Sequence, residues 1–455
     1  YSDRGERGRR RREAVVGIKE SARKRKGEIR LSRIESIHAR EILDSRGFPT
    51  VEVEVRLDSG TMGGASVPCG ASTGTYEAFE MRDKDSGRYR GRGVLDAVKN
   101  INEVIAPALK GIDPTEQALV DNTMIELDGT LHKIRLGANA TLGVSLAAAR
   151  AAANDLVIPL WRYLGGLNAD LMPVPMMNVI NGGVHADNNL NIQEFLIIPH
   201  GAPSFAESLR MGTETYHALK DILARTGKPT GTGDEGGFSC DFRDPDEVLE
   251  TLMLAISEAG YQPGRDISIG LDVAASQFAV EGAYQFPGSN CRFTACELID
   301  MYENLCAKYP VISIEDGLAE DDWQGWVSLT ERLGKKIELI GDDLFVTHKD
   351  RLKIGIEKHA ANAVLIKPNQ IGTLTETLNV CEMALRAGYN RIISHRSGET
   401  SDSFIADLSV ATGAGQIKAG APRGMERVRK YNRLIRIEEA LAGRSEFAGK
   451  PSPRV

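Results

Sequence analysis

Six short apolar runs in the second half of the chain, residues 267–272, 311–315, 337–342, 363–367, 391–395 and 416–418, each end on a residue able to do chemistry: Asp272, Glu315, Asp342, Lys367, His395 and Lys418. The end points lie 43, 27, 25, 28 and 23 residues apart, and most of these intervals hold one strand, one helix and two loops. In a parallel β/α barrel every strand delivers its last residue to the same rim, so groups distant in sequence converge on one mouth. A charge that merely opens a loop explains any one of them; six at nearly constant phase point to a barrel. The 455 residues leave room for such a barrel, typically about 250 residues, and a smaller companion.

That companion precedes the barrel. Val51, Val53, Val55 and Leu57 alternate with Glu52, Glu54 and Arg56, the two-residue period of a half-buried strand. Asp58, Ser59 and Gly60 turn the chain into a second extended segment over 61–68, and an Ala-rich helical pattern fills 93–164. The sequence therefore divides into a basic tail (1–33), an α+β lid domain (34–166) and a β/α, TIM-like barrel (167–455), an α/β protein overall. The tail carries 13 Lys/Arg against 5 Asp/Glu, so the remainder holds −15 of a chain whose net charge is −7. An acidic body argues against nucleic acid as its partner and leaves only the tail for such contact. The tail reads as a solvated, disordered extension. An Arg-rich import segment is the alternative, which its five acidic residues oppose. No run of 18 apolar residues occurs, so no membrane span is expected. The six Cys form no C-x-x-C pair and no zinc spacing, as expected of reduced thiols in the cytoplasm; organellar import through a processed N-terminal segment stays open.

Three carboxylates on successive strand ends, Asp272, Glu315 and Asp342, repel one another unless a cation intervenes, and an all-oxygen set suits Mg²⁺. Lys367 follows a buried run, where desolvation and a nearby metal would lower its pKa and make it a base. Gly231-Thr-Gly-Asp-Glu-Gly236 matches a dinucleotide fingerprint by letter only: no clear strand precedes it, and Asp234 and Glu235 would confront a pyrophosphate with like charge. Its glycines are read instead as holding Glu235, a candidate acid, on a tight loop. Gly70-Ala-Ser-Thr-Gly74 could close over the mouth. Asn181-Gly-Gly-Val-His185 reads as a hairpin turn that puts His185 in a loop and Glu194 on a following strand over 191–199.

From about Ile34 to Gly449 the chain resembles the enolase family, the phosphopyruvate hydratases of glycolysis. The resemblance rests on Asp44-Ser-Arg-Gly47, Gly70-Ala-Ser-Thr-Gly74, Gly233-Asp-Glu-Gly-Gly237, Ser313-Ile-Glu-Asp316, Gly341-Asp-Asp343, Asn369-Gln-Ile-Gly372 and Ser394-His-Arg-Ser-Gly-Glu-Thr400, in that order. It implies interconversion of 2-phospho-D-glycerate and phosphoenolpyruvate with two Mg²⁺ per site. The first ion would be bound by Asp272, Glu315 and Asp342, and the second by Ser72 and the substrate phosphate. Lys367 would be the base at C2 and Glu235, with a raised pKa so that it can expel hydroxide, the acid at C3, while His185, Gln193, Glu194, His395, Arg396, Ser397 and Lys418 line a small phosphorylated carboxylate. A homodimer or an assembly of dimers is also implied. Departures from the family pattern are Cys69, His132, Ser239-Cys240, Pro368, Ser401 and Gly424-Met425. Pro368 removes an N–H beside Lys367, and the changes at 401 and 424–425 are expected to affect dimer or barrel packing. Two other readings use some of these residues: a dehydratase of another α-carboxylate, which would not need Arg396 and Ser397 for a phosphate, and a noncatalytic scaffold that keeps the fold.

Overall fold

The computed structural model describes residues 32–70, 74–286 and 291–453. Most of the basic tail and Ser72 lie outside the described residues. The alternation over 51–57 becomes β2 (Pro49–Leu57), with Val51, Val53, Val55 and Leu57 fully buried. β1 (Ile34–Leu43) and β3 (Met62–Ser66) flank it in an antiparallel sheet. β1 was not expected from the sequence, because a register shift between Ile34 and Ser36 interrupts its two-residue period. The sheet lies on α1 (Ala138–Asp155), whose Ala-rich composition permits close approach: a Cβ on Gly63 would stand 2.2 Å from the backbone N of Ala151.

Eight strands close the barrel in sequence order: β4 (Val174–Asn181), β5 (Glu194–Ile198), β6 (Ser268–Asp272), β7 (Val311–Glu315), β8 (Glu338–Gly341), β9 (Ala363–Ile366), β10 (Asn390–Ser394) and β11 (Gly415–Lys418). The parallel barrel expected from sequence is corrected at one place. β5 pairs antiparallel with both β4 and β6, and all other pairs, including β11 with β4, are parallel. The turn after Asn181 returns the chain directly as a hairpin, so β5 presents its first residue, Glu194, to the rim where its neighbours present their last. Val174, Met176, Leu196, Ile198, Ile312, Ile340, Ala363, Leu365 and Ile392 fill the lumen, which is a packed core and not a channel. Among the described residues no single helix is long and apolar enough to cross a membrane.

At the end of the barrel away from the mouth, the buried His200 ring places Nε2 2.9 Å from Ser268 Oγ. Burial and the nearby Lys450 hold its pKa down to about 4. Because that lies below the ordinary histidine value, the neutral ring favours the folded state above about pH 6.5, and the contribution is lost as pH falls from there toward 4. Denaturant titrations should show about 2 kcal/mol of stability disappearing across this window in the native chain and a flatter curve in His200→Gln. Equal slopes in the two proteins would remove His200 as the cause.

Candidate active site

The rim brings the sequence-selected groups together. One cavity is lined by His185, Gln193, Glu194, Glu235, Asp272, Asp342, Lys367, His395, Arg396, Ser397 and Lys418; Glu315 is buried against it through Lys418. Asp272 is the backbone partner of both Glu194 and Glu315 across the ladder. Lys418 Nζ sits among them, 2.7 Å from Asp272 Oδ2, 2.8 Å from Glu315 and 3.2 Å from Glu194 Oε2. Burial disfavours the ammonium, but the three acids outweigh it and carry Lys418 well above its ordinary value. Burial and the charge of Asp272 push Glu315 up in turn.

Lys367 emerges just after β9 and pairs directly with Asp342. The lowered lysine pKa expected from sequence is corrected here. Burial lowers it, but the adjoining Asp342 and the nearby Glu315 leave it above the ordinary value. Pro368 does not deprive Lys367 of a useful N–H. It occupies the first position of the short helix α2 (Pro368–Ile371), where that N–H would have no intrahelical partner, and it favours the extended backbone seen at Lys367, φ −120° and ψ 101°.

Glu235 reaches the cavity from the glycine-rich loop, as the sequence suggested. Gly236 has φ +87°, and a Cβ on Gly237 would lie 2.4 Å from Asn181 Oδ1, so the loop cannot form with larger residues there. His395 Nε2 stands 3.2 Å from Glu235 Oε2, and His185 Nδ1 stands 3.1 Å from Glu194 and 3.9 Å from Glu235. The raised pKa expected of Glu235 falls on its neighbour instead. Burial and the charge of Glu235 push Glu194 up to about 7. Burial also works to raise Glu235, but the imidazoles of His395 and His185 and a hydrogen bond with Glu194 outweigh it and hold Glu235 well below its ordinary value. The two carboxyls form one coupled acid. His185 is raised: its burial is outweighed by Glu235, Glu194 and Asp272.

Several residues were not selected from sequence. Glu77 receives both terminal nitrogens of Arg396, at 3.0 and 3.1 Å. Asp316 accepts the backbone N–H groups of Asp342 and Asp343, at 3.0 and 2.8 Å, and so orders the loop after β8. Both Asp316 and Asp343 are the last residues of quoted motifs, which was the available signal. The carboxylate oxygens of Asp316, Asp342 and Asp343 approach within 4.8 Å of one another. Among the expected trio, Lys418 stands against Asp272 and Glu315, and Lys367 against Asp342. Crowded, buried, all-oxygen acids of this kind suit a hard divalent cation, and the residues fit Mg²⁺ on donor chemistry.

Residues 34–164 match the enolase N-terminal domain, and residues 169–454 match the enolase C-terminal TIM barrel domain. The chain belongs to the enolase family. It is therefore a lyase-type enzyme of the enolase superfamily. Its departures from the enolase pattern leave the cavity wall intact. Cys69 is buried, donates to Asp44 Oδ2 at 3.0 Å and lies 2.8 Å from Arg46 Nη2; burial pushes its thiol up to about 12, so it remains protonated. His132 contributes its carbonyl to the Phe79 N–H, at 2.7 Å. Ser401 and Met425 are exposed, outside the barrel packing.

Proposed function

We propose that this chain interconverts 2-phospho-D-glycerate and phosphoenolpyruvate, the hydratase reaction of glycolysis. The observation that carries the reading is one cavity that holds an amine, a pair of adjacent carboxyls and a guanidinium. Lys367 Nζ accepts the proton from C2. Lys418, fixed among three acids, faces the carboxylate on which the second negative charge develops. The Glu194–Glu235 pair delivers a proton to the departing C3 hydroxyl, with His185 and His395 holding the pair in place. Arg396 offers a planar fork to the phosphate, and Gln193 and Ser397 complete the wall. Mg²⁺ held by Asp272, Glu315 and Asp342, with a second ion at Ser72, would neutralise the substrate's carboxylate and phosphate and satisfy the Asp342 charge that now keeps Lys367 protonated.

The test is direct: 2-phosphoglycerate and Mg²⁺ should generate the ultraviolet absorbance of the enol product, and EDTA should abolish it. Absence of signal, or indifference to EDTA, refutes the reading. Turnover of other α-carboxylates with no preference for a phosphate would favour the broader dehydratase reading instead. The same proposal carries a homodimer or assembly of dimers and a cytoplasmic location.

A further inference from the structure

We infer that Arg427 is a positioning residue that locks His395 in one neutral tautomer, its proton on the Nε2 that faces Glu235, so that His395 is not a proton carrier. The inference rests on the proposed reaction only for the role of Glu235.

Arg427 projects from α3 (Met425–Leu441), where the buried stripe runs Arg427, Lys430, Tyr431, Leu434, Ile437 and Leu441. It is 0% exposed, among the largest fully buried side chains of the molecule. Its guanidinium ties two loops of the mouth together. Nη1 lies 2.6 Å from His395 Nδ1 and 2.6 Å from the Arg396 carbonyl, while Nη2 lies 2.6 Å from the Ser397 carbonyl and 3.1 Å from that of Asp234. One side chain therefore fixes the strand-end loop carrying His395, Arg396 and Ser397 against the glycine-rich loop carrying Glu235.

The tautomer follows from chemistry. A guanidinium has only donors and keeps its proton at any pH the protein survives. A ring nitrogen 2.6 Å from it must accept, so Nδ1 carries no hydrogen and the neutral ring keeps its proton on Nε2. That nitrogen stands 3.2 Å from Glu235 Oε2, close enough for charge attraction, with its N–H off the line of a hydrogen bond. Forming the imidazolium would place a second donor and a second cation against Arg427 in a buried site. The charged groups facing the ring are Glu235, which favours protonation, and Arg427 and Lys418, which oppose it together with burial; the balance holds His395 down to about 3. The imidazole that sequence reading placed on the substrate-lining wall is thereby excluded from exchanging protons with the Glu194–Glu235 pair near neutral pH.

Histidine-selective ¹⁵N labelling of the full chain, which has eight His, reads the tautomer directly from long-range ¹H–¹⁵N correlations. In the unsubstituted protein His395 should show a pyridine-like Nδ1 and a pyrrole-like Nε2, unchanged from pH 5 to 9. Arg427→Gln keeps a donor but removes the charge. It should restore a titration between pH 5 and 8, and kcat at pH 5.5 should fall about tenfold below its value at pH 8 while KM moves little. Arg427→Lys, which restores a cation, should flatten both profiles. A hydrogen on Nδ1, or titration of His395 between pH 5 and 8 in the unsubstituted protein, overturns the inference, as does a folded Arg427→Gln variant whose His395 does not titrate. If neither variant folds, the spectrum of the unsubstituted protein decides alone. These spectra need no substrate, so a locked ring in a protein inactive on 2-phosphoglycerate would refute the reaction and leave the tautomer assignment standing.

Discussion

Replacing Lys367 with Ala is expected to abolish exchange of the C2 hydrogen of 2-phosphoglycerate with solvent and to lower kcat by about 10²–10⁴-fold. The amine is the cavity's base in this scheme, paired with the single carboxylate of Asp342, whereas Lys418, the other ammonium on that wall, is held among Asp272, Glu315 and Glu194. Removing it also strips Asp342 of its ion-pair partner, so the control is Lys367→Arg. A guanidinium keeps the charge beside Asp342 but cannot give up its proton, and it should restore stability without restoring exchange. Exchange that survives in Lys367→Ala, followed by NMR in deuterated solvent, would assign the abstraction to another group.

Glu235→Gln should separate the two halves of the reaction: C2 exchange persists while dehydration falls by about 10²–10⁴-fold. The substitution keeps the shape of the side chain and removes its charge. That charge is, after burial, the principal influence raising Glu194 to about 7, so Glu194 then ionises more readily. Loss of both exchange and dehydration in a folded variant would count against dividing the labour between Lys367 and the carboxyl pair. Because exchange and product formation can be followed in the same sample, the two outcomes are cleanly distinguished.

Much of this arrangement is legible in the residues themselves. The phase of Asp272, Glu315, Asp342, Lys367, His395 and Lys418 at the ends of apolar runs reports a shared rim, because strand ends at constant spacing have few other ways to pack. Alternation over Val51 to Leu57 reports β2 for the same local reason. Strand direction is less accessible from a two-residue period, which reads identically in either sense; the hairpin turn read at Asn181–His185 was the one sign that β5 runs against its neighbours. Protonation is less accessible still. Whether Glu194 or Glu235 carries the proton depends on which imidazoles and ammonium face each carboxyl through space. Arg427 did leave a trace, as a charged residue at an apolar position of a helical repeat, and Glu77 became identifiable only once Arg396 was seen against it.

The reversed strand has a consequence for where Glu235 can be. Since β5 carries the chain away from the mouth, the helix Phe205–Arg225 must climb back toward it and Pro245–Glu258 must descend again before β6 starts its own ascent. This detour inserts an additional visit to the catalytic end between two adjacent staves, and residues 226–244 make that visit. Had β5 kept the common orientation, the same stretch would emerge at the opposite pole. Lys367 would then face a vestibule without Glu235, and the single hairpin at Asn181 therefore decides whether base and acid ever meet.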